Sequence, residues 1–194
     1  LSYFLWGTFP DNTLLKLAKQ QKLSKPSVLK QQVNRLLDDP RSQVFIKHFT
    51  DQWLNLKDID FTTPDSKLYP EFDLILQEAM VGETQLFLRE LIRDNLSVTN
   101  VVDSDFTMLN ERLAHHYGIK GISGTEIRKV ALNPEHHRGG IITHASVHKV
   151  TANGTTTSPV VRGVWMLEKI MGEKTLPPPA NVPAIEPDIR GAES

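Results

Sequence analysis

Six of the seven histidines fall between residues 115 and 148, as His115-His116, His136-His137, His144 and His148; the seventh is His48. His144 and His148 stand four apart. If residues 140–150 are helical, both imidazoles lie on one face and could bind a metal. The zinc motif H-E-x-x-H is absent, because residue 145 is Ala. The plainer alternative is one partly buried and one surface histidine, each hydrogen-bonded. Adjacent histidines on a helix point about 100° apart, so His115 and His116 do not readily share an ion. His136-His137 precede Arg138-Gly139-Gly140, a loop in which neighbours can converge.

A second candidate is the run Thr151-Ala152-Asn153-Gly154-Thr155-Thr156-Thr157-Ser158-Pro159-Val160-Val161-Arg162-Gly163. Asn-Gly signals a turn, and four hydroxyl residues then meet a helix start. Asn153, Thr155, Thr156, Thr157, Ser158 and Arg162 form a candidate binding loop, since hydroxyls and free N–H groups there can hold an anion or a sugar. Capping and loop closure explain the same residues, with Arg162 tying the loop through a charge-assisted bond. Ser158 lacks the G-x-S-x-G elbow of a nucleophile. Asp103-Ser104-Asp105 is a D-x-D pattern, read here as a helix start, with Asp105 as cap and Asp103 favoured by the dipole.

The elements that must position these residues follow from periodicity. In the first half, Asp11 is placed to cap a helix with Leu14, Leu15 and Ala18 on its apolar face. Pro26 opens a second, carrying Val28, Leu29, Val33, Leu36 and Leu37. Pro40 ends it and starts another with the stripe Val44, Phe45, His48, Phe49, Gln52, Trp53 and Leu56. Residues 57–70 read as a loop. A long helix over 72–94 has Phe72, Leu76, Ala79, Met80, Phe87, Leu91 and Ile92 inward, with Glu71, Glu78, Glu83, Arg89 and Arg93 on a solvated face. A shorter helix after Asp105 points Met108, Leu109, Leu113 and Tyr117 inward and stops at Gly118. Residues 126–132 read as a short strand, and 140–150 as a short helix or an extended segment. Residues 159–171 read as a helix with Val160, Val164, Leu167 and Ile170 or Met171 inward, ending at Gly172. Trp165 is read as core.

Thirteen of the fourteen aromatics lie in residues 1–117, whereas nine of the eleven glycines lie at or after Gly118. The fold class is mainly α: a compact, helical, bundle-like unit with a glycine-rich second half. The divisions are 1–118, an aromatic-rich helical domain; 119–176, a loop-rich part with a terminal helix; and 177–194, a proline-rich linker with an extended course. The chain opens Leu-Ser-Tyr-Phe-Leu-Trp without an initiator Met and ends in that tail, so it reads as a piece of a longer protein.

Of 194 residues, 39% are hydrophobic and 23% charged, which argues against wholesale disorder. A formal net charge of −1 argues against a dedicated nucleic-acid binder. With no cysteine, the chain has no disulfide, no thiolate site and no C-x-x-C-H haem attachment. No stretch reaches the roughly 18 apolar residues of a transmembrane helix.

The segments Arg138–Val147 and Val150–Trp165, and the tail Pro177-Pro178-Pro179-Ala180-Asn181-Val182-Pro183 through Glu186–Ala192, closely resemble secreted planctomycete cytochrome-associated proteins. Ser2–Trp6, the Pro10-Asp11 turn, Gln52-Trp53-Leu54 and Leu113–Gly118 resemble a first domain of unknown function of that family, and the stretch from Arg138 the start of a second. The resemblance implies an extracytoplasmic protein, periplasmic or secreted, with a c-type haem in a downstream segment and none within this chain. It implies partnership with other domains of the same longer chain and with a redox partner. It carries over no catalytic residue. Three functions follow: a helical module of a c-type cytochrome-like protein supporting electron transfer or an oxidoreductase reaction, with His144, His148, Met166 and Met171 able to approach a haem; an extracellular polymer-binding module for a glycan, resting on the hydroxyl loop and Trp165; and a metal-dependent hydrolase using the histidines.

Overall fold

In the computed structural model, which describes residues 1–175, ten α-helices and strands follow one another with short 3₁₀ turns between them. The proline-rich linker read at 177–194 lies outside the described residues. Helix α1 (Ser2–Trp6) ends at Gly7, whose φ of +65° closes a left-handed cap. Asp11 caps α2 (Asn12–Lys19), accepting from the Leu14 N–H at 2.9 Å. The same carboxylate takes a bidentate pair from Arg35 on α3 (Pro26–Asp38), at 2.7 and 3.2 Å. That pair ties two helices together and holds Asp11 below the usual carboxylate range. Leu5, Trp6, Leu14 and Leu36 form a small core there, with the Trp6 indole donating to the Leu36 carbonyl at 2.8 Å. Leu15 and Ala18 face solvent instead of sharing the Leu14 face.

Helix α4 (Gln43–Trp53) buries Ile46 and Thr50, and Leu54 just beyond it. The stripe expected from the sequence lies largely outside: Val44, His48, Phe49 and Gln52 are exposed, Phe45 and Trp53 half-buried, and Leu56 alone is fully buried. The aromatics of that row pack on one another along the helix surface. Ring centroids are 5.1 Å apart for Phe4 and Phe45, 5.7 Å for Phe45 and Phe49, and 5.4 Å for Phe49 and Trp53. Side chains four apart are neighbours on a helix, so the row packs on itself while Phe45 and Trp53 also rest against the core clusters.

Helix α5 (Leu74–Arg93) is the central element, capped by Asp73, which accepts from the Leu76 N–H at 2.7 Å. It packs against α4, the strand β1 (Phe106–Leu109), α6 (Glu111–His116) and α7 (Ala145–Val150). β1 pairs antiparallel with β2 (Arg128–Ala131), Phe106 opposite Ala131 and Leu109 opposite Arg128. The short strand read at 126–132 is therefore present. The helix start read at Asp105 is not: residues 106–109 are extended, and Asn110 caps α6 by accepting from Leu113 N–H at 3.0 Å. All four β1 residues are buried, which strand pairing satisfies and an isolated helical turn at that place would not.

The 140–150 segment is a 3₁₀ turn at Ile141–Thr143 followed by α7. Helix α8 (Pro159–Lys169) begins with Ser158 accepting from the Val161 N–H. It buries only Trp165, whose indole donates to the Leu54 carbonyl at 3.2 Å. Val160, Val164 and Leu167, read as inward, are exposed, and of the alternatives Ile170 or Met171 it is Ile170 that packs half-buried on the main core. One side chain anchors this helix, so its apolar face looks outward. The main core joins both ends of the chain: Leu54, Leu56, Phe87 and Leu91 meet Ile141, Val147 and Trp165. The fold is mainly α, with one two-stranded sheet.

Candidate functional site

Glu83 lies midway along α5, one turn from Ala79 and Met80 and one from Phe87, so it faces the core with them. It is 1% exposed, although the sequence places it on a solvated face. Its two carboxylate oxygens are both satisfied. Thr107 on β1 donates to Oε1 at 2.6 Å, and the Tyr117 hydroxyl donates to Oε2 at 2.5 Å. Tyr117 Oη in turn accepts from the Ala145 N–H at 2.7 Å. One carboxylate thus links α5, β1, the end of α6 and the start of α7. Burial pushes the Glu83 carboxyl up to about 7, against the lowering effect of its two hydroxyl donors and of nearby Arg138. Burial, together with the charge on Glu83, also pushes the Tyr117 hydroxyl well above its ordinary range.

Beside this group, Thr84 Oγ1 is hydrogen-bonded to Ser146 Oγ at 2.7 Å and to His144 Nδ1 at 2.9 Å. The His144 ring stands edge-on to Phe87, with centroids 5.0 Å apart. Its Nε2 is buried without a hydrogen-bond partner among the described residues. Burial, with Arg138 nearby, lowers His144 to about 3, so the imidazole is neutral at neutral pH.

In front of Tyr117 opens a cavity of about 220 Å³ at the seam between the two halves of the chain. Its apolar floor is Phe72, Leu76, Met80 and Tyr117, with Tyr69 at the side. Three cations line it: Arg138, Lys149 and Arg162. The Arg138 guanidinium lies 3.5 Å from the Tyr117 ring centroid and donates to the Thr143 carbonyl at 2.7 Å. Lys149 Nζ donates to the carbonyls of Ile59 and, at 2.8 Å, Thr62. Burial lowers the Lys149 pKa. Arg162 Nη2 donates to Thr157 Oγ1 at 2.6 Å, and Nε to Thr151 Oγ1 at 3.3 Å.

The hydroxyl loop is therefore held from within and also borders the cavity. Asn153 Oδ1 accepts from the N–H groups of Thr155 and Thr156, at 3.1 and 2.8 Å, an Asx turn that fixes the bend. Gly154 has φ +94°, and a Cβ there would stand 2.6 Å from the Thr63 carbonyl oxygen. Tyr69 donates its hydroxyl proton to the Thr155 carbonyl at 3.1 Å. Thr156, Thr157 and Arg162 reach the cavity; Ser158 serves α8 as its cap, and Asn153 and Thr155 shape the turn.

The two candidate histidines are placed differently. His144 is buried against Phe87 and Thr84, whereas His148 reaches the surface and lines the cavity, whose walls partly desolvate its ring and lower its pKa, with Arg162 adding to the shift. Among the described residues no three of His, Asp and Glu stand together as a metal ion would require. Asp103 and Asp105 lie apart from the cavity, before β1. Glu83, Thr84, Tyr117, Arg138 and Lys149 are absent from the sequence-based candidates. For Glu83 a signal existed: it shares the i, i+3, i+4 face with Ala79, Met80 and Phe87.

The cavity and the carboxylate network both cross a boundary that comparison with known proteins makes explicit. No curated protein and no solved structure matches the chain significantly. Two family models do match. Residues 138–194 match, in part, the family described as PSCyt3, protein of unknown function (DUF1588). Glu83, Thr107 and Tyr117 precede that segment, while Arg138, Ala145 and Lys149 lie inside it. Both family names mark planctomycete cytochrome-associated proteins. The model of the other family covers residues 1–119, and the chain belongs to it: PSD4, protein of unknown function (DUF1592).

Proposed function

We propose that this chain is a helical module of a larger, extracytoplasmic c-type cytochrome-like protein, where it supports electron transfer or an oxidoreductase reaction. The observation that carries this is the adjoining pair of cytochrome-associated families folded around one core. The residues present do not themselves fit a haem. There is no cysteine for covalent attachment. His144 is enclosed by Phe87 and Thr84. On this reading the haem belongs to a downstream segment, as the family resemblance implies. The outward apolar side of α8, with Val160, Val161, Val164, Leu167 and Met171, supports contact with a further domain of the same longer chain. No described helix is long and apolar enough to cross a membrane. The test is the visible spectrum and redox titration of the full-length protein with its C-terminal continuation. A haem spectrum with a reversible midpoint is expected; no haem absorbance overturns the proposal.

A second reading, that the module also binds a glycan-like ligand, is favoured by one observation. Thr156, Thr157 and Arg162 of the hydroxyl loop converge with Tyr69, Phe72 and Tyr117 on one cavity. Aromatic faces beside hydroxyls and cations suit a polar ring.

A further inference from the structure

We propose that the seam cavity takes a small carboxylate-bearing sugar ring, a uronate, with the carboxylate held between Arg138, Lys149 and Arg162. The inference rests on the second reading above, that the cavity is a ligand site, and adds the charge class of the ligand.

The cation set carries it. Eight ion pairs occur among the described residues, and none includes Arg138, Lys149 or Arg162. Four of the other six described arginines take carboxylates, and Arg89 and Arg128 do not: Arg35 pairs with Asp11, Arg41 with Asp39, Arg93 with Glu90 and Asp94, and Arg112 with Asp73. The three around the cavity are held by neutral acceptors alone, backbone carbonyls and threonine hydroxyls. Such acceptors orient a cation without forming an ion pair with it.

Lys149 is the most telling. It is 8% exposed, yet two carbonyls occupy only two of its three N–H donors. Asp60 favours its charged form from a distance while accepting from the Gln77 amide. Burying a cation without a directly paired anion is costly, and an anion entering the cavity supplies that pairing. Of the two carboxylates nearby, Glu83 is closed off behind Tyr117 with both oxygens occupied. Glu71 itself lines the cavity, with its carboxylate 4.0 Å from His116 Nδ1. The net charge of the chain is −1, so the positive cluster is local rather than a property of the whole surface.

The remaining lining sets the body of the ligand. Phe72, Leu76 and Met80 offer an apolar face, and Thr156 and Thr157 offer hydroxyls at the rim. The volume suits one ring rather than a chain of them. A guanidinium with a free edge recognises a carboxylate through charge-assisted bonds.

The test is isothermal titration of the whole chain with glucuronate, glucose and inorganic phosphate, at low and high salt. Glucuronate is expected to bind at least tenfold more tightly than glucose and than phosphate, and to weaken as salt rises. Arg162→Gln and Arg138→Gln, each checked for an intact thermal transition, are expected to lower the glucuronate-to-glucose affinity ratio about tenfold. If either variant fails to fold, the salt dependence and the glucuronate-to-glucose ratio of the unmodified chain still decide. Equal binding of glucose and glucuronate overturns the anion class and leaves the cavity as a sugar site. Phosphate binding as tightly as glucuronate overturns the sugar ring. No binding of any probe overturns this inference and the ligand-site reading together, while the haem spectrum of the full-length protein stands or falls separately.

Discussion

Glu83→Gln keeps the shape of the side chain and deletes its ionisation, so it isolates one buried proton. The folded Glu83 carboxyl sits at about 7, against an ordinary value of 4.5. Between those two values the folded chain holds a proton that the unfolded chain has released. Stability contributed by this group is therefore greatest at low pH and falls as pH rises through the window. At roughly 1.4 kcal/mol per pH unit the displacement corresponds to about 3 kcal/mol. His144 works in the opposite direction. Its folded value of about 3 lies below the ordinary 6.5, so the unfolded chain binds the extra proton and stability rises with pH between them. His116 and His148, both lowered chiefly by burial, add to that rise below 6.5. In the unmodified chain the Glu83 and His144 slopes therefore oppose each other between 4.5 and 6.5, and a single profile hides both. The difference between variant and parent removes the histidines. Urea unfolding at a series of pH values should show the Gln variant gaining about 3 kcal/mol on the parent between pH 4.5 and pH 7. A difference that stays constant across that window refutes the reasoning, because Glu83 would then titrate alike in both states.

Two further outcomes are expected. Gly140→Ala adds a Cβ at φ +70°, 2.5 Å from the Val102 carbonyl oxygen and 2.6 Å from that of Val101; it should cost about 3 kcal/mol or more and lower the melting temperature by at least about 6 °C, and an unchanged melting temperature would count against the close approach. Tyr117→Phe removes a donor from Glu83 and the acceptor of the Ala145 N–H, at a cost of about 1–3 kcal/mol; because the lost donor favoured the ionised form, carboxyl NMR should place the Glu83 titration above about 7, and a lower value would contradict the hydrogen bond.

Much of the first half is legible in local chemistry. Asp11 before an apolar period, Pro26 at a helix start and Pro40 at a boundary each act within a few residues, and each marks the element found. The same holds for Pro159 and the Ser158 cap of α8, and for Gly118, which takes φ +69° after α6. Helix faces are less legible where residues find partners other than the core. The row Phe45, Phe49 and Trp53 has core-like spacing but stacks on itself, and α8 shows an apolar period with only Trp165 buried. Asp105 has the type and place of a cap, yet Phe106–Leu109 is drawn into a strand by β2, some twenty residues further on.

The hydroxyl loop shows the division within one segment. Its turn follows from Asn153-Gly154 alone, through bonds spanning two or three residues. Its meeting with Tyr69, Phe72 and Tyr117 depends on contacts that span more than thirty residues. By itself the sequence determined a mainly helical chain without cysteine, the caps and stops of its helices, and membership of a cytochrome-associated family, because these reside in neighbouring residues and linear motifs. Only the tertiary structure decided that Glu83 is buried, that Tyr117 joins it to Ala145, and that Arg138, Lys149 and Arg162 line one cavity outside the ion pairs of the described residues. Charge balance and desolvation are set by what surrounds a group in space, and for these residues the surroundings come from both halves of the chain.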